Sequence, residues 1–320
     1  MRILVTGGAG YIGSVAVALL LEKNYQVTVL DDCSSGHIEN IPANVRFFRG
    51  SILDRREVFS ALEDCSAVLH FAGKSLVGES IEKPDLYHNV NVKGTNNLLL
   101  QMRNRNIKKL IFSSSAATYG DVEAIPIKET SPTNPKNPYG STKLQIEKLI
   151  SEECFAEGLS AISLRYFNVA GALKIKSGWL AEKHDPETHL IPNILRSTSN
   201  NPIKIFGTDW QTDDGTCIRD YIHVIDLVEA HVLALESLRE PAHKIYNLGS
   251  GTGYSVKEVI KVANRVAGTI TPFVEVERRS GDPEVLVADI SKVKEDLNWA
   301  PKRGLDEMVE DAYNSTKAIT

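Results

Sequence analysis

A glycine-rich turn that joins a short apolar run to a helical pattern restricts the fold of this chain more than any other feature. The apolar run spans Ile3–Val5, and the next stretch, Thr6–Gly13, reads Thr-Gly-Gly-Ala-Gly-Tyr-Ile-Gly. Gly7 and Gly10 allow a tight backbone and close approach of a phosphate group to the N–H groups at the helix start, where the helix dipole favours negative charge. Gly13 allows the helix to pack closely. The pattern predicts a strand, a phosphate-binding turn and a helix.

The second predicted strand, Gln26–Leu30, leads directly into a carboxylate at Asp31. A carboxylate that follows a glycine turn by about 20 residues accepts hydrogen bonds from the ribose 2′-hydroxyl of a dinucleotide. The same carboxylate repels a 2′-phosphate, because like charges at close range are unfavourable. Asp31 therefore predicts binding of NAD(H) over NADP(H).

Strands and helices continue to alternate along the first half of the chain. The pattern predicts a strand over 45–48, a helix over 55–62, a strand over 67–71, a helix from about Pro84 to Arg103 and a strand over 109–113. Strands separated by helices form parallel sheets. We therefore predict an α/β fold with a doubly wound parallel-sheet Rossmann domain, and the 320-residue length leaves room for a second, smaller lobe.

Composition narrows the class of partner. The formal net charge is −5 and no basic run is present, which argues against nucleic acid. No apolar run approaches the ~18 residues of a membrane-spanning helix, and the first residues lack a signal-peptide pattern, so we expect a cytoplasmic protein with a small-molecule substrate and no membrane contact. The four cysteines form no C-x-x-C pair, so we expect reduced thiols.

A serine run, a tyrosine and a lysine form a candidate catalytic group. Asn137 and Pro138 are typical of a helix start, which places Tyr139 and Lys143 one turn apart on the same helix face. The strand that ends in Ser113–Ser115 brings hydroxyls to the carboxyl edge of the sheet, where parallel sheets bind ligands. An ammonium near a phenol favours the phenolate, so Tyr139 is a candidate general base.

These motifs resemble the extended short-chain dehydrogenase/reductase family and, within it, the branch of UDP-glucose 4-epimerases. The match runs over nearly the whole chain, and several of its segments are specific to that branch. The matching segments are Thr6–Gly13, His70–Gly73, Val77–Ser80, Phe112–Ala116, Tyr139–Lys143, Arg165–Asn168, Asp214–His223 and Arg279–Asp282.

The resemblance implies an enzyme that retains NAD and inverts C4 of UDP-glucose and UDP-galactose through a 4-keto intermediate. It implies that Tyr139, as phenolate, accepts the proton of the C4 hydroxyl and that Ser115 hydrogen-bonds the same oxygen. Lys143 and the positive charge of the nicotinamide are implied to hold the phenol pKa down. NAD is the one cofactor that the resemblance implies, and no metal is expected.

The resemblance also assigns two sets of binding residues. The cofactor set comprises Gly7, Gly10, Tyr11, Ile12, Gly13, Asp31, Ser51, Ile52, Phe71, Ala72, Gly73, Lys74, Ser113, Tyr139, Lys143 and Phe167. The substrate set comprises Ser115, Tyr139, Asn168, His189, Leu190, Phe206, Arg219, Tyr221, Arg279, Asp282 and Leu286.

By the same comparison, residues 1–167 form the dinucleotide-binding domain, with 219–249 packing back onto it. The smaller C-terminal α/β domain, which binds the UDP-sugar, is expected to comprise 168–218 and 250–320. Asp226 is expected to cap a helix. The helices before Ser113 and around Tyr139 occupy the position of a four-helix dimer contact in relatives, which implies a homodimer.

Three positions depart from the family pattern. Ser51 stands where many relatives have an aspartate that binds the adenine amino group, and a hydroxyl accepts that bond more weakly. His189 stands where such epimerases carry an asparagine near the substrate phosphate. Leu286 matches a position where a bulky tyrosine would exclude an N-acetyl group at the sugar C2. We therefore hypothesise that UDP-N-acetylglucosamine and UDP-N-acetylgalactosamine are also substrates.

The stretch His184–His189 has the composition of a metal site. Pro186 argues against a helix through it, so the two histidines are not expected to share a face. We expect a loop that lies over the sugar nucleotide instead of a metal centre.

Other functions remain open at this point. A nucleotide-sugar 4,6-dehydratase needs an additional acid and base beside the serine, where this chain has Ala116 and Ala117. A C4 epimerase of another UDP-sugar, such as a UDP-pentose or a UDP-uronic acid, is the nearest alternative. A non-catalytic NAD-sensing protein is disfavoured because Ser115, Tyr139 and Lys143 are all present.

Overall fold

The chain folds into two compact units in this computed structural model, which describes residues 1–122, 124–279 and 282–317. The first unit contains residues 1–120, 132–166 and 228–246. The second contains the described residues of 121–131, 167–227 and 247–317. Each unit is therefore assembled from segments that lie far apart in the sequence.

A seven-stranded sheet forms the centre of the first unit. Its strands are β1 (Arg2–Thr6), β2 (Gln26–Asp31), β3 (Arg46–Arg49), β4 (Ala67–His70), β5 (Lys109–Ser115), β6 (Ser160–Tyr166) and β12 (Ala242–Leu248). The spatial order is β12-β6-β5-β4-β1-β2-β3, and the neighbours among β1 to β6 pair in parallel. This order reverses direction between β1 and β4, as in a Rossmann sheet. The predicted fold class is confirmed.

Helices flank this sheet. They are α1 (Tyr11–Glu22), α2 (Arg55–Ala61), α3 (Val77–Glu82), α4 (Pro84–Tyr87), α5 (Gly94–Asn104), α6 (Pro138–Glu157) and most of α8 (Val224–Ser237), with 3₁₀ turns at Ile38–Asn40 and Ala116–Thr118. The helix predicted from Pro84 is divided by a π-helical segment, His88–Lys93. Within the described part of the chain, no helix combines the length and the apolar character needed to cross a membrane.

The core of the first unit is continuous from the strands to the helices. Ile3, Leu4 and Val5 in β1 are fully buried, as expected for a parallel strand covered on both faces. Leu98 in α5 and Ile150 in α6 belong to the same apolar cluster as Leu4. The carboxyl ends of the strands, where ligands bind, are thus held on a rigid frame.

The second unit is built from short strands and helices. They are β7 (Asn168–Ala170), β8 (Ala172–Ile175), β9 (Gly178–Ala181), α7 (Leu190–Arg196), β10 (Ile203–Phe206), β11 (Ile218–His223), β13 (Gly253–Ser255), α9 (Val256–Ala267), β14 (Phe273–Val276), β15 (Val285–Leu286), α10 (Ser291–Leu297) and α11 (Leu305–Lys317). Strand β11 pairs in parallel with β7 and β15 and antiparallel with β13. Ile191, Tyr221, Val259 and Met308 lie in its separate apolar core.

The expected domain boundaries differ from this division at 219–227 and within 121–131, and by one to three residues at 167 and 247–249. Residues 219–227 belong to the second unit because β11 pairs with β7 and β13. The described part of 121–131 also belongs there, since the Ile127 N–H donates to the Val287 carbonyl and the Asp289 N–H donates to the Ile127 carbonyl. Short-range patterns do not reveal such pairings between distant segments.

The prediction that Asp226 caps a helix is wrong. Helix α8 begins at Val224, so Asp226 lies inside its first turn. Its fully buried carboxylate accepts hydrogen bonds from the backbone N–H groups of Lys302 and Arg303, both at 2.9 Å, and from the Arg303 side chain. Asp226 therefore ties α8 to the segment before α11.

Candidate active site

The glycine turn after β1 packs tightly against the segment that follows β4. Gly7 has a φ of +72°, and a Cβ there would lie 2.6 Å from the Ala72 backbone nitrogen. A Cβ at Gly13 would lie 2.1 Å from the Gly7 carbonyl oxygen, so only glycine lets α1 approach the turn. At Gly10 a Cβ would meet a single atom within 4 Å, the Gly7 oxygen at 3.4 Å. The protein therefore leaves space beside Gly10 for a ligand to approach the backbone.

The start of α1 suits an anion. Gly10 is the N-cap and provides no capping side chain, and the first turn of this 12-residue helix carries no acidic residue. Tyr11 and Ile12 are its first two residues, in the turn where backbone N–H groups and the helix dipole favour a phosphate. This region of the first unit fits the pyrophosphate of a dinucleotide.

Asp31 links the end of β2 to the glycine turn. Its Oδ2 accepts from the Ala9 N–H at 2.9 Å, and its Oδ1 accepts from the Cys33 N–H at 2.8 Å. Burial raises the pKa of this carboxyl, and the two backbone hydrogen bonds oppose that rise. Each carboxylate oxygen can accept a further hydrogen bond, so Asp31 fits a ribose diol.

Ser51 and Ile52 follow β3 and are held by local contacts. The Ser51 hydroxyl accepts from the Leu53 N–H at 3.2 Å, and the Ser51 N–H donates to the Glu57 carboxylate at 2.9 Å. Ile52 is buried, and its carbonyl accepts from Asn97 at 2.7 Å. The Ser51 hydroxyl is thus partly engaged within its own turn, which fits its reduced strength as an acceptor for a ligand.

Residues 71–74 leave β4 beside the glycine turn. The Phe71 ring lies 5.0 Å from the His231 ring, and the Ala72 N–H donates to Thr6 Oγ1 at 3.4 Å. A Cβ at Gly73 would lie 3.0 Å from Asn91 Oδ1. Asn91, which the sequence argument did not select, lies in the π-helical segment.

The side chain of Asn91 clamps the backbone of Lys74. Its Oδ1 accepts from the Lys74 N–H at 2.8 Å, and its Nδ2 donates to the Lys74 carbonyl at 3.0 Å. The Lys74 ammonium lies 3.5 Å from the Ser34 hydroxyl. Since π-helical turns are frequent at functional sites, the wider turn is a signal that only the structure could provide.

The predicted helix start at Asn137 is confirmed. The Asn137 Oδ1 accepts from the Gly140 N–H at 2.8 Å, and Pro138 occupies the first helical position. Tyr139 and Lys143 therefore project from successive turns of α6. Their local placement follows from the cap and the helical period alone.

Three predicted catalytic side chains meet at the carboxyl end of β5. The Ser115 hydroxyl lies near the Tyr139 phenol and lowers its pKa against the effect of burial. The Lys143 Nζ lies 5.7 Å from the centre of the Tyr139 ring and donates to the Ser113 carbonyl at 2.7 Å. The first unit thus assembles a hydroxyl, a phenol and an ammonium in one place.

The lower phenol pKa expected from Lys143 together with the nicotinamide charge is not reached by the protein alone, because burial raises the pKa of Tyr139. Only the nearby Ser115 hydroxyl opposes that rise. Burial also lowers the pKa of Lys143 to about 8, although the nearby Glu147 carboxylate opposes this. At neutral pH the phenol is therefore protonated while the ammonium keeps its charge.

Glu147 was not selected from the sequence, although it lies one turn beyond Lys143 on α6. Its buried carboxylate accepts from the Arg165 guanidinium at 2.9 and 2.6 Å and from the Ser114 hydroxyl at 2.6 Å. Extending the Tyr139–Lys143 spacing by four residues would have found it. Glu147 joins α6 to β5 and β6 directly behind the catalytic side chains.

In the second unit, charged residues gather around β11 and β15. Arg219 and Leu286 are register neighbours on these strands, and the Arg219 Nη2 lies 3.9 Å from Asp282. Burial raises the pKa of the Cys217 thiol, Arg219 and Arg279 lower it, and Asp282 raises it. The three charged side chains therefore lie near one buried thiol. Residues 280 and 281 of the motif that ends at Asp282 lie outside the described residues.

Two aromatic residues of the predicted substrate set, Phe206 and Tyr221, have different neighbours. The Arg279 guanidinium stacks 3.7 Å from the centre of the Phe206 ring. Tyr221 is buried and pairs in register with Asn168, whose amide donates to a β11 carbonyl at 2.9 Å. Phe167, which belongs to the predicted cofactor set, is buried and is the first residue of its segment of the second unit.

The stretch between β9 and α7 brings together side chains that the sequence did not predict to meet. Ligand-type atoms of Glu182, His184, Glu187 and His189 lie within 4.8 Å of one another. The His189 Nδ1 lies 2.8 Å from the Glu182 carboxylate and 3.0 Å from the Glu187 carboxylate. Leu190, also in the substrate set, is the first residue of α7. A loop can converge its side chains without a shared helix face.

Charge pairing determines the protonation of this cluster. Burial lowers the pKa of His189, but its hydrogen bonds to Glu182 and Glu187 outweigh burial and raise that pKa to about 10. Burial raises the pKa of Glu182, but hydrogen bonds from His184 and His189 lower it to about 2. In the absence of other ligands, His189 is therefore an imidazolium between two carboxylates at neutral pH.

Comparison with known proteins adds independent support. The family described as the NAD dependent epimerase/dehydratase family matches residues 3–249. The UDP-glucose 4-epimerase of Corynebacterium glutamicum is 48% identical, and the match covers 100% of this chain and 97% of that protein. The UDP-glucose 4-epimerase of Halalkalibacterium halodurans is also 48% identical, and the match covers 98% of this chain and 95% of that protein. The crystal structure of UDP-glucose 4-epimerase from Brucella ovis in complex with NAD superposes with a TM-score of 0.93, at 42% identity over 98% of this chain and 97% of that one. The family match over residues 3–249 and the full-length identity to these relatives leave one conclusion: the chain belongs to the NAD dependent epimerase/dehydratase family.

Proposed function

We propose that the protein is an NAD-dependent epimerase that interconverts UDP-glucose and UDP-galactose by inverting C4 through a 4-keto intermediate. The observation that carries this proposal is the meeting of three side chains: the Ser115 hydroxyl lies near the Tyr139 phenol, and the Lys143 ammonium lies 5.7 Å from the centre of the Tyr139 ring. The full-length relatives, which are themselves named UDP-glucose 4-epimerases, support a UDP-hexose as the substrate.

Tyr139 is the group that moves the proton. Its phenol oxygen takes the C4-hydroxyl proton as C4 becomes a ketone and returns a proton as the ketone is reduced from the opposite face. Ser115 hydrogen-bonds the reacting oxygen, and the charged Lys143 side chain stabilises the phenolate electrostatically. Because burial alone raises the phenol pKa, positive charge near the ring is required for this step.

The first unit fits the proposed cofactor. The start of α1 and the glycine turn would hold the pyrophosphate, Asp31 the adenosine ribose, and Lys143 the nicotinamide ribose. NAD bound there would supply the hydride chemistry at C4. The room at Gly10 and the uncapped helix start support this assignment from the geometry of the chain itself.

Residues of the second unit suit the uridine diphosphate. Arg219 and Arg279 offer planar guanidinium groups, which bind phosphate oxygens in a bidentate manner. Phe206 and Tyr221 offer aromatic surface for uracil, and Asp282 offers acceptors for the uridine ribose. We assign Asn168, His189 and Leu190 to the sugar and diphosphate on the same basis.

A coupled assay that converts UDP-galactose to UDP-glucose tests the proposal. The purified chain with bound NAD should catalyse this reaction without net consumption of NAD, since hydride is returned in each cycle. UDP-pentoses and UDP-uronic acids should react more slowly, and no dehydrated sugar should form. A folded, NAD-loaded protein that fails to interconvert the two hexoses would refute the proposed function.

Asp31 predicts the choice of nucleotide. NADPH should bind at least about 10-fold more weakly than NADH, a difference of about 1.4 kcal/mol, because its 2′-phosphate would meet the buried carboxylate. Fluorescence titration of the nucleotide-free protein measures both affinities. Asp31→Asn removes the charge and should narrow the difference. Equal or tighter binding of NADPH by the wild type contradicts this assignment.

Leu286 predicts the choice of sugar. The wild type should turn over UDP-N-acetylglucosamine, and Leu286→Tyr should reduce that activity by about 10-fold or more because the larger ring fills the space beside C2. The same variant should keep its activity on UDP-galactose, which serves as the internal control. If the wild type shows no measurable turnover of the N-acetyl sugar, this prediction is wrong.

We propose a homodimer formed through α5 and α6. These helices are joined by ion pairs from Arg103 to Glu153 and Glu157, and Phe155 on α6 is 95% exposed. A second copy packed on these helices would remove this ring from water, which is favourable in proportion to the apolar area buried. Light scattering at micromolar concentration should give twice the chain mass, and Phe155→Asp should shift the mass toward the monomer. A monomeric wild type contradicts the proposal.

A further inference from the structure

The strongest feature outside the proposed active-site chemistry is the cluster of Glu182, His184, Glu187 and His189, referred to below as the 182–189 cluster. Its four ligand-type atoms lie within 4.8 Å of one another. Two imidazole nitrogens and two carboxylate oxygens form a donor set that zinc takes in proteins. Two carboxylate charges would also balance a divalent cation.

The carboxylates of this cluster are held in place before any ion arrives. The side chains of Glu182 and Glu187 are only 8% and 5% exposed. The Glu187 Oε1 accepts from the backbone N–H groups of Thr188 and His189, both at 2.9 Å. Hydrogen bonds of this kind orient metal ligands and restrict their rotation.

The second carboxylate oxygen of Glu187, which does not make the His189 contact, has unsatisfied bonding capacity. The Glu187 Oε2 is buried and has no hydrogen-bond donor within the part of the chain that the structure describes. Its nearest ion-pair partner there, the Arg196 Nη1, lies 3.8 Å away, beyond hydrogen-bond distance. Buried carboxylate oxygens are normally bonded, so an additional partner is expected at this position.

We propose that Glu182, His184, Glu187 and His189 bind one zinc ion. The metal would replace the contacts that the two histidines now make with the carboxylates and would cross-link both ends of the 182–189 segment. This segment leads directly into α7, whose first residue is Leu190. The zinc would therefore have a structural role in fixing the start of α7. His189 is also assigned to the substrate under the proposed function, but zinc binding is measured without the epimerase reaction.

Zinc titration of the full chain tests this proposal without measuring activity. Protein treated with a chelator and then dialysed should bind one Zn²⁺ per chain in competition with a chromophoric chelator, with a Kd of about 1 µM or tighter. Co²⁺ in place of Zn²⁺ should give the visible absorption of a four-coordinate ion. The number of zinc ions bound per chain and the absorption spectrum of bound Co²⁺ together distinguish this site from weak binding at the surface.

Two ligand variants and one control make the result decisive. His184→Ala should weaken zinc binding by more than the roughly 10- to 100-fold that loss of an outer-shell partner costs. Glu187→Gln should do the same while it keeps the size of the side chain, and it decides the question if circular dichroism shows that His184→Ala is unfolded. His88→Ala, a change at an exposed histidine outside the cluster, should bind zinc like the wild type.

The opposite results would overturn the proposal. Binding weaker than about 1 mM would exclude a built site. Tight binding that survives both ligand variants would place the ion elsewhere. In either case the proposed epimerase activity is unaffected, because its test depends on Tyr139.

Discussion

Replacing Tyr139 with phenylalanine is expected to lower kcat by about 10²- to 10⁴-fold, the usual contribution of a positioned general base. The variant keeps the ring and loses only the phenol oxygen, which lies near the Ser115 hydroxyl. Bound NAD should be retained, because the glycine turn and Asp31 are unchanged. Conversion of UDP-galactose to UDP-glucose measures the loss, and the absorbance of nucleotide released on denaturation measures retention.

Tyr25→Phe is the matched control for this experiment. The Tyr25 phenol is also in the first unit, but it bonds Glu236 at the surface, at 2.9 Å. Its loss should leave kcat unchanged. A well-folded Tyr139→Phe enzyme with wild-type kcat would show that another group transfers the proton.

The pH dependence of the wild-type rate is a second test of the assignment of Tyr139 as the proton-transfer group. Burial raises the Tyr139 pKa, so the rate should increase with pH as the phenol ionises. Burial lowers the Lys143 pKa to about 8, so loss of the stabilising charge above that pH offsets further ionisation of the phenol and the rate should stop rising. In Tyr139→Phe the rising limb should disappear from the residual activity.

Replacing Glu147 with alanine is expected to lower the free energy of unfolding by about 3–5 kcal/mol, as for other buried ion pairs that lose one partner. The Glu147 and Arg165 side chains are each only 4% exposed, so the variant leaves a guanidinium buried without its counter-ion. Glu147 also raises the Lys143 pKa, so its loss should lower that pKa further and shift the end of the rising limb of the pH profile to lower pH. Urea unfolding and the pH profile measure the two effects.

Glu153→Ala provides the comparison on the same helix. The Glu153 carboxylate pairs with Arg103, whose side chain is 41% exposed, so solvent screens the pair. We expect a loss of about 1 kcal/mol or less. Equal losses in the two variants would show that the buried pair does not carry the stability assigned to it. Glu147→Gln, which keeps the shape of the side chain, allows the comparison if Glu147→Ala does not fold.

Local sequence patterns predict much of the first unit. The alternation of apolar strands and helices predicts the parallel sheet, because the residue period reports directly on local backbone geometry. The cap at Asn137 and Pro138 predicts where α6 begins and which of its residues share a face. The glycine spacing predicts the phosphate turn, since only glycine tolerates the contacts found at Gly7 and Gly13.

Other features depend on which distant segments meet. The rise in the Tyr139 pKa comes from burial, which no spacing reports, and it reverses the direction expected from the neighbouring lysine. The pairing of Glu147 with Arg165 joins a helix to a strand 18 residues later. The 182–189 cluster forms only because an irregular loop folds its side chains together. Backbone periodicity is a property of neighbouring residues, whereas dielectric environment and ligand geometry arise only once the whole chain has packed.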